Sequence, residues 1–372
     1  MTDSLHPFIQ KTSPRAPPMA EPIPIGLALQ GGGSWGAYTW GVLDALLASR
    51  RIVFDQLSGT SAGAINAAIV ASALARGGPA DARKALRAFW LDVAYPAIAT
   101  PGGELIWGPV ERAWRESISA YLLTNSMSPS QLNPLGVNPL RDLIVRHVDF
   151  DALRQDNAPA LYITLTHVKT GLPRVISNDA MSADALLASA CLPQLFQAVE
   201  IDGEPYWDGG YSGNPTLWPM IRGGRARDLI VVQLVRDSVD DAPTDATGIR
   251  QRIGEIVFNS SLVAEMQAIA AMRAIAGKDQ ASSVMDTRLH RIGPPHADLV
   301  NAGSPLERSR QWLLQLHAEG RAAARRFLRR HGADLGRRET LDVSRVFAGD
   351  RKPKMRLAAA AEAPPEPAGL SV

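Results

Sequence analysis

Apolar and polar positions follow two rhythms along this chain. Strand-like segments recur at "IPIGLALQ" (23–30), a short apolar run, and at "IVFDQLSG" (52–59), "ALYITLTHV" (160–168) and "DLIVVQLV" (228–235). The last is a continuous apolar run, which suits a strand covered on both faces. Between them, apolar residues fall three or four apart. This spacing predicts a helix from Tyr38 to Leu47, carried by Trp40, Leu43, Leu46 and Leu47, and a second over 62–78 that Gly77 and Gly78 end. Helical spacing covers most of 82–147, broken by Pro- and Gly-bearing loops near 96–109 and 129–139. It returns at 183–192 and over 248–277, where Ile253, Ile256, Val257 and Ile269 are the apolar positions. An extended piece at 204–210 and a strand at 287–292 follow the same reading. An Arg-rich helix at 305–331 offers Trp312, Leu316, Ala323 and Phe327 for one face. The alternation predicts an α/β protein with a mainly parallel sheet.

Composition narrows the picture. The 372 residues are 46% hydrophobic and 20% charged, enough for a sizeable core. A formal net charge of +2 gives no pull toward nucleic acid. The single cysteine, Cys191, leaves no disulfide framework and no zinc cluster, and its apolar helical setting suggests a small core residue. No window approaches a membrane span, and the N-terminus lacks the apolar region of a signal peptide, so the expected compartment is the cytosol. The expected organisation is a disordered leader (1–22), a catalytic core (23–222), the remainder of the α/β domain with C-terminal helices (223–335), and a disordered tail (336–372).

Two glycine-rich turns carry candidate chemistry. The first, "LALQGGGSWGAYTW", places Gly31, Gly33 and Gly36 in the G-x-G-x-x-G spacing between a strand and a helix. With Asp55 about 20 residues further on, it fits a dinucleotide fingerprint and hence a nucleotide-dependent oxidoreductase. That reading leaves the second turn unexplained. Gly59-Thr60-Ser61-Ala62-Gly63 is G-x-S-x-G between a strand and a helix, the context of a nucleophile elbow. Such a turn would lift the Ser61 hydroxyl out at a helix N-terminus, where developing negative charge is favoured.

A serine hydroxyl needs a base. Ser61, Asp208 and His290 occur in the order of an α/β-hydrolase triad. Alternatively Asp208, in "YWDGGYSGNP", could serve alone if burial among Tyr206 and Trp207 raised its pKa, although Asp-Gly-Gly is also an ordinary turn. The glycine loop then gains a second role. Gly31, Gly32 and Gly33 could present bare amides to a tetrahedral oxyanion.

The segments "QGGGSWGAYTWGVL", "GTSAGAIN", "SACLPQLFQAV" and "WDGGYSGNP", in this order, resemble the patatin-like phospholipase family over roughly residues 25–222. The resemblance implies a three-layer α/β/α sandwich and lipid acyl hydrolysis without histidine, metal or cofactor. It makes Ser61 the nucleophile, flanked by Gly59 and Gly63, and Asp208 the general base, followed by Gly209 and Gly210. It makes Gly31, Gly32 and Gly33 the oxyanion loop, with Gly36 closing its pattern, and puts Pro193 in the family's intervening segment. Trp35 departs from the Lys or Arg that many members carry, which bears on recognition of a phospholipid head group. Asp-Gly-Gly replaces Asp-Gly-Ala.

The implied partner is a lipid or fatty-acyl ester, with transient contact at a membrane surface. A non-catalytic lipid-binding scaffold is the alternative of another class. The segment 100–129, with Trp107 and Trp114, reads as a packed helical insertion or a lid. Arg321, Arg325, Arg326, Arg329 and Arg330 read as a solvated face or a contact for anionic lipid.

Overall fold

The computed structural model describes residues 21–49, 51–94, 128–134, 136–223, 225–276, 283–295 and 306–347. Most of the expected leader, the segment 100–127 with Trp107 and Trp114, and the chain beyond 347 lie outside the described residues.

The apolar runs pair as one sheet. β1 (Ile23–Leu29) lies between β2 (Ile52–Gly59) and β7 (Asp228–Val232), and β8 (Arg288–Ile292) extends the sheet beyond β7, all parallel. β2 pairs in parallel with β3 (Ala160–His167). Three antiparallel strands finish this side: β4 (Pro173–Ser177) and β6 (Glu204–Asp208) on β3, and β5 (Val199–Ile201) on β6. β4 and β5 have no counterpart in the sequence reading. Both are short, and each holds no more than two consecutive aliphatic residues, so no apolar run marks them.

Helices cover both faces, which makes the fold a three-layer α/β/α sandwich. Alternation along the strands divides the core in two. Ile25, Leu27 and Leu29 of β1 and Ile230 and Val232 of β7 point into one cluster. There they meet α1 (Gly36–Leu47), α2 (Ala62–Gly77), α3 (Pro79–Ala94) and the helices Ala183–Ser189 and Arg310–His331. Ala28, Leu229 and Val231 point the other way, toward the helices Trp218–Gly223, Ala246–Ile275 and Val343–Phe347.

Three expectations need correction. The C-terminal helix buries Trp312, Leu313, Leu316, Gly320, Ala324 and Phe327, while Ala323 is only partly buried. Its closest approach is glycine-mediated: Gly41 sits on the His317 carbonyl and Gly320 on the Tyr38 carbonyl, where a Cβ would collide with backbone. The long helix Ala246–Ile275 turns Glu255, Asn259, Leu262, Met266 and Ile269 inward, and leaves Ile253, Ile256 and Val257 exposed. Its N-terminal half satisfies polar groups at the carboxyl edge of the sheet, and this reverses the stripe that hydrophobicity alone selects. Residues 336–347, expected in the tail, pack instead: Leu341, Val343 and Phe347 are buried in the second cluster.

Candidate active site

Ser61 follows β2 and opens α2. Its backbone adopts φ 55° and ψ −126°, a conformation costing of order 1–3 kcal/mol for a residue with a Cβ. The surroundings enforce it. The Ser61 amide donates to Ser189 Oγ at 3.0 Å, and that hydroxyl donates to the Thr164 carbonyl at 2.8 Å. The Gly63 amide donates to the Thr60 carbonyl at 2.8 Å. Gly63 crosses the Leu29 carbonyl and Gly59 lies against Gly63, so neither position has room for a Cβ. Although Ser61 occupies the N-cap of α2, its hydroxyl makes no capping bond. Both the dipole and the side chain are therefore free to serve chemistry at that point.

Strand register explains how Asp208 reaches the same place. Ile163 pairs with Gly59 on one side and with Ile176 of β4 on the other. Two residues along β3, Leu165 pairs with Arg174 of β4 and with Asp208 of β6. β6 therefore runs on the flank of β3 that β2 vacates, and the two strands meet end to end. Gly59 and Asp208 are the last residues of those strands, and Gly209 packs against Thr60 in the seam between them.

The Asp208 carboxyl is 1% exposed. Its Oδ1 accepts the Gly210 amide at 2.7 Å, while Oδ2 has no hydrogen-bond partner among the described residues. Burial pushes its pKa up to about 7, against the opposing pull of the Gly210 amide and the Ser61 hydroxyl. Ser61 is thus close enough to act on the carboxylate, although no bond of normal geometry closes on Oδ2. The backbone of Asp208 is fixed on both sides. Its amide donates to the Cys191 carbonyl at 2.8 Å, and its carbonyl accepts from Thr166 Oγ1 at 2.8 Å. The Cys191 thiol is buried and pushed up to about 12, by desolvation first and by the Asp208 charge second, so it is no nucleophile at neutral pH. Tyr206 shares the buried side of β6 with Asp208, whereas Trp207 points to the other face and is only half-buried.

The glycine loop lies directly on the serine: a Cβ at Gly31 would sit 2.8 Å from Ser61 Cβ. Its three amides are not equivalent. Gly31 N–H donates to Asn214 Oδ1 at 2.6 Å. Those of Gly32 and Gly33 donate to no group among the described residues, and Gly33 takes φ 59°, a backbone region glycine enters without strain. Gly36 differs from all three. Its amide is spent on the carbonyls of Gly33 and Ser34, and its bare Cα lets Ala62 and the Trp90 ring approach. Trp35 is nearly buried, and its indole Nε1 has no partner among the described residues.

The other candidate residues lie elsewhere. His290, on β8, is fully buried at the opposite side of the sheet from β6. Its Nε2 is 2.9 Å from Asp228 Oδ1 and its Nδ1 2.9 Å from Thr340 Oγ1. Burial opposes ionisation of Asp228, but His290, Arg288 and the Gly336 amide together hold it well below the usual carboxylate range. This is a cross-link within the sheet edge, and it overturns the Ser61/Asp208/His290 triad. Asp55 fares no better as a ribose ligand. It is the extra residue at a register shift between β1 and β2, well short of the carboxyl edge where Gly31 opens. Among the described residues no cluster of His, Cys, Asp or Glu is arranged to hold a metal, and no helix is long and apolar enough to cross a membrane.

Four site residues receive no role from the sequence: Gln30, Ser189 and Asn214 lie within the quoted motif segments but nothing there marks what they bond, and Asn259 lies outside them.

A model of the patatin-like phospholipase family matches residues 27–221, just over half of the chain. Among solved structures, VipD from Legionella pneumophila superposes with a TM-score of 0.40 and 16% identity, over 84% of this chain and 67% of that one. No curated protein matches the sequence.

Proposed function

The chain belongs to the patatin-like phospholipase family, and we propose that it hydrolyses the carboxylic esters of lipids through an acyl-enzyme on Ser61. In this reading Ser61 Oγ attacks the ester carbonyl while Asp208 Oδ2 accepts the hydroxyl proton. The carbonyl oxygen becomes an oxyanion held by the amides of Gly32 and Gly33, the two loop donors not already spent. Collapse of the tetrahedral intermediate forms the Ser61 ester and breaks the bond to the alcohol, which leaves with the proton from Asp208. Water, deprotonated by the same carboxylate, then attacks the acyl-enzyme; the acyl–Oγ bond breaks, Asp208 returns the proton to Ser61 Oγ, and the fatty acid is released.

The observation that carries this reading is the state of Asp208. A buried carboxyl oxygen with no hydrogen-bond partner among the described residues, beside a strained serine, is poorly stabilised as an anion and correspondingly basic. Unperturbed aspartate, with a pKa near 3.9, would be a weak base at neutral pH. Two further features bear on the substrate. Trp35 stands near the loop without a charge, which favours an apolar acyl chain over a phosphate contact. Ile249, Ile253, Ile256 and Val257 lie exposed on the helix that also carries Phe258, whose ring packs on Gly210. This apolar stripe supports action on substrate presented at a lipid surface.

Hydrolysis of a panel of phospholipid, glyceride and p-nitrophenyl esters by wild type, Ser61→Ala and Asp208→Asn tests the proposal. Loss of every activity in both variants is expected. Unchanged turnover in Ser61→Ala refutes the serine mechanism, and turnover of none of the panel by wild type favours a lipid-binding scaffold.

A further inference from the structure

β1 ends at Leu29, and the next residue, Gln30, is fully buried with both polar atoms of its side chain engaged. Oε1 accepts the amides of Leu234 and Val235 at 2.7 and 2.8 Å. Nε2 donates to the Asn214 carbonyl at 3.2 Å and to Asn259 Oδ1 at 3.1 Å. The glycine loop is thereby tied at its root to the loop after β7, to the long helix, and to the segment that begins at Asp208.

Asn214 makes the second tie, and it does so next to the nucleophile. It too is fully buried. Its Oδ1 accepts the Gly31 amide at 2.6 Å, its Nδ2 donates to the Phe258 carbonyl at 2.9 Å, and its own amide donates to Ser261 Oγ at 2.9 Å. A single side chain thus joins the Asp208 segment, the long helix and the loop that rests on Ser61. A buried amide deprived of its acceptor bears a desolvation penalty and turns toward any acceptor within reach. For Gly31 the acceptor supplied is Asn214, so the loop has no reason to rotate.

We infer that Asn214 is a positioning residue for the Ser61 reaction: by taking up the Gly31 amide it locks the glycine loop with the Gly32 and Gly33 amides left over for the oxyanion. The inference rests on the ester-hydrolase reading above. Asn214 touches no reacting atom; it acts through Gly31.

The test uses the full chain and p-nitrophenyl butyrate. Wild type must hydrolyse it and Ser61→Ala must not; failure of either sinks the parent reading and is seen independently of Asn214. Asn214→Ala removes the acceptor. Its kcat should fall about 100-fold, the scale of a lost oxyanion donor, with KM within about threefold of wild type. The pH at which activity rises should not move, since Asp208 is untouched. Ser261→Ala loosens the same segment through its backbone but leaves Oδ1 on Gly31, and its kcat should stay within about threefold. Asn214→Asp retains an acceptor oxygen for Gly31 and guards against an unfolded Asn214→Ala. Folded Asn214→Asp should stay within about 10-fold of wild type at its own optimum pH. Wild-type kcat in folded Asn214→Ala, equal losses in Asn214→Ala and Ser261→Ala, or a 100-fold loss in folded Asn214→Asp would each overturn the inference.

Discussion

A carboxylate kept basic by burial should weaken the fold that keeps it, and Asp208→Asn measures by how much. The folded pKa of about 7 stands against 3.8 for an unperturbed aspartate. At 1.36 kcal/mol per unit, ionising Asp208 in the native state costs about 4 kcal/mol more than in the unfolded chain. The direction follows from proton counts. Between the two pKa values the native state binds the proton and the unfolded state does not, so stability falls as pH rises from about 4 to about 7. Asparagine abolishes this dependence. Its Oδ1 keeps the Gly210 amide, and its amide nitrogen replaces an oxygen that already lacks a partner among the described residues. Asp208→Asn should therefore be inactive yet more stable, by about 4 kcal/mol at pH 8 and only about 2 kcal/mol at pH 5. For a chain of this size the pH 8 gain corresponds to a Tm higher by roughly 5 °C. Thermal and urea unfolding of both proteins at the two pH values read it directly. A variant less stable than wild type, or a gain that does not grow with pH, would show that Asp208 is not held against its own ionisation.

Further outcomes follow from the same geometry. The kcat/KM for a soluble ester should rise with pH through an apparent pKa near 7 and then level, because only ionised Asp208 accepts the proton; a profile already flat at pH 5 would contradict this. Glu265, also pushed up to about 7 by burial, could mimic that inflection, so Glu265→Gln should retain it. His290→Ala, which removes one of the groups holding Asp228 and leaves Thr340 Oγ1 without its ring partner, should destabilise the fold by roughly 1–3 kcal/mol. The fraction that folds should keep its turnover, and a dead but folded His290→Ala would revive the triad. Ile253 and Ile256 are 56% and 54% exposed. Ile253→Glu with Ile256→Glu should slow hydrolysis in phospholipid vesicles at least 10-fold, since inserting either side chain is worth about 1.5–3 kcal/mol. Hydrolysis of p-nitrophenyl butyrate should not change, and equal rates in vesicles would dismiss the stripe as a lipid contact.

Much of the sheet is legible in the sequence because parallel strands buried on both faces leave continuous apolar runs. β1 and β7 announce themselves in this way, and β2 and β3 through shorter apolar stretches broken by polar residues. The G-x-S-x-G turn is legible for a related reason: close approach of Gly63 to the Leu29 carbonyl admits no other residue type. What could not be read is whatever depends on two distant segments meeting. Asp208 carries no local mark separating a base from a turn; its burial comes from β6 entering the flank vacated by β2. Gln30 and Asn214, 184 residues apart, gain meaning only through the hydrogen bond between them. The long helix misleads for the complementary reason. Glu255 and Asn259 face inward because Arg236, Arg252 and Gln30 await them there, and no periodicity of apolar residues records that demand. The same limit divides the glycines. G-x-G-x-x-G groups Gly31, Gly33 and Gly36, whereas the fold gives them an acceptor-bound amide, an unspent amide and a packing contact with Trp90.

Fluorophosphonate labelling with peptide mapping tests the central claim most directly, since it asks which atom the molecule activates. Wild type should gain one phosphonyl group, on the peptide containing Ser61, at a rate that rises with pH through about 7. Ser61→Ala should gain none, and Asp208→Asn should be labelled far more slowly. Label on any other residue of the folded protein, or rapid labelling of Ser61 in Asp208→Asn, would contradict the account.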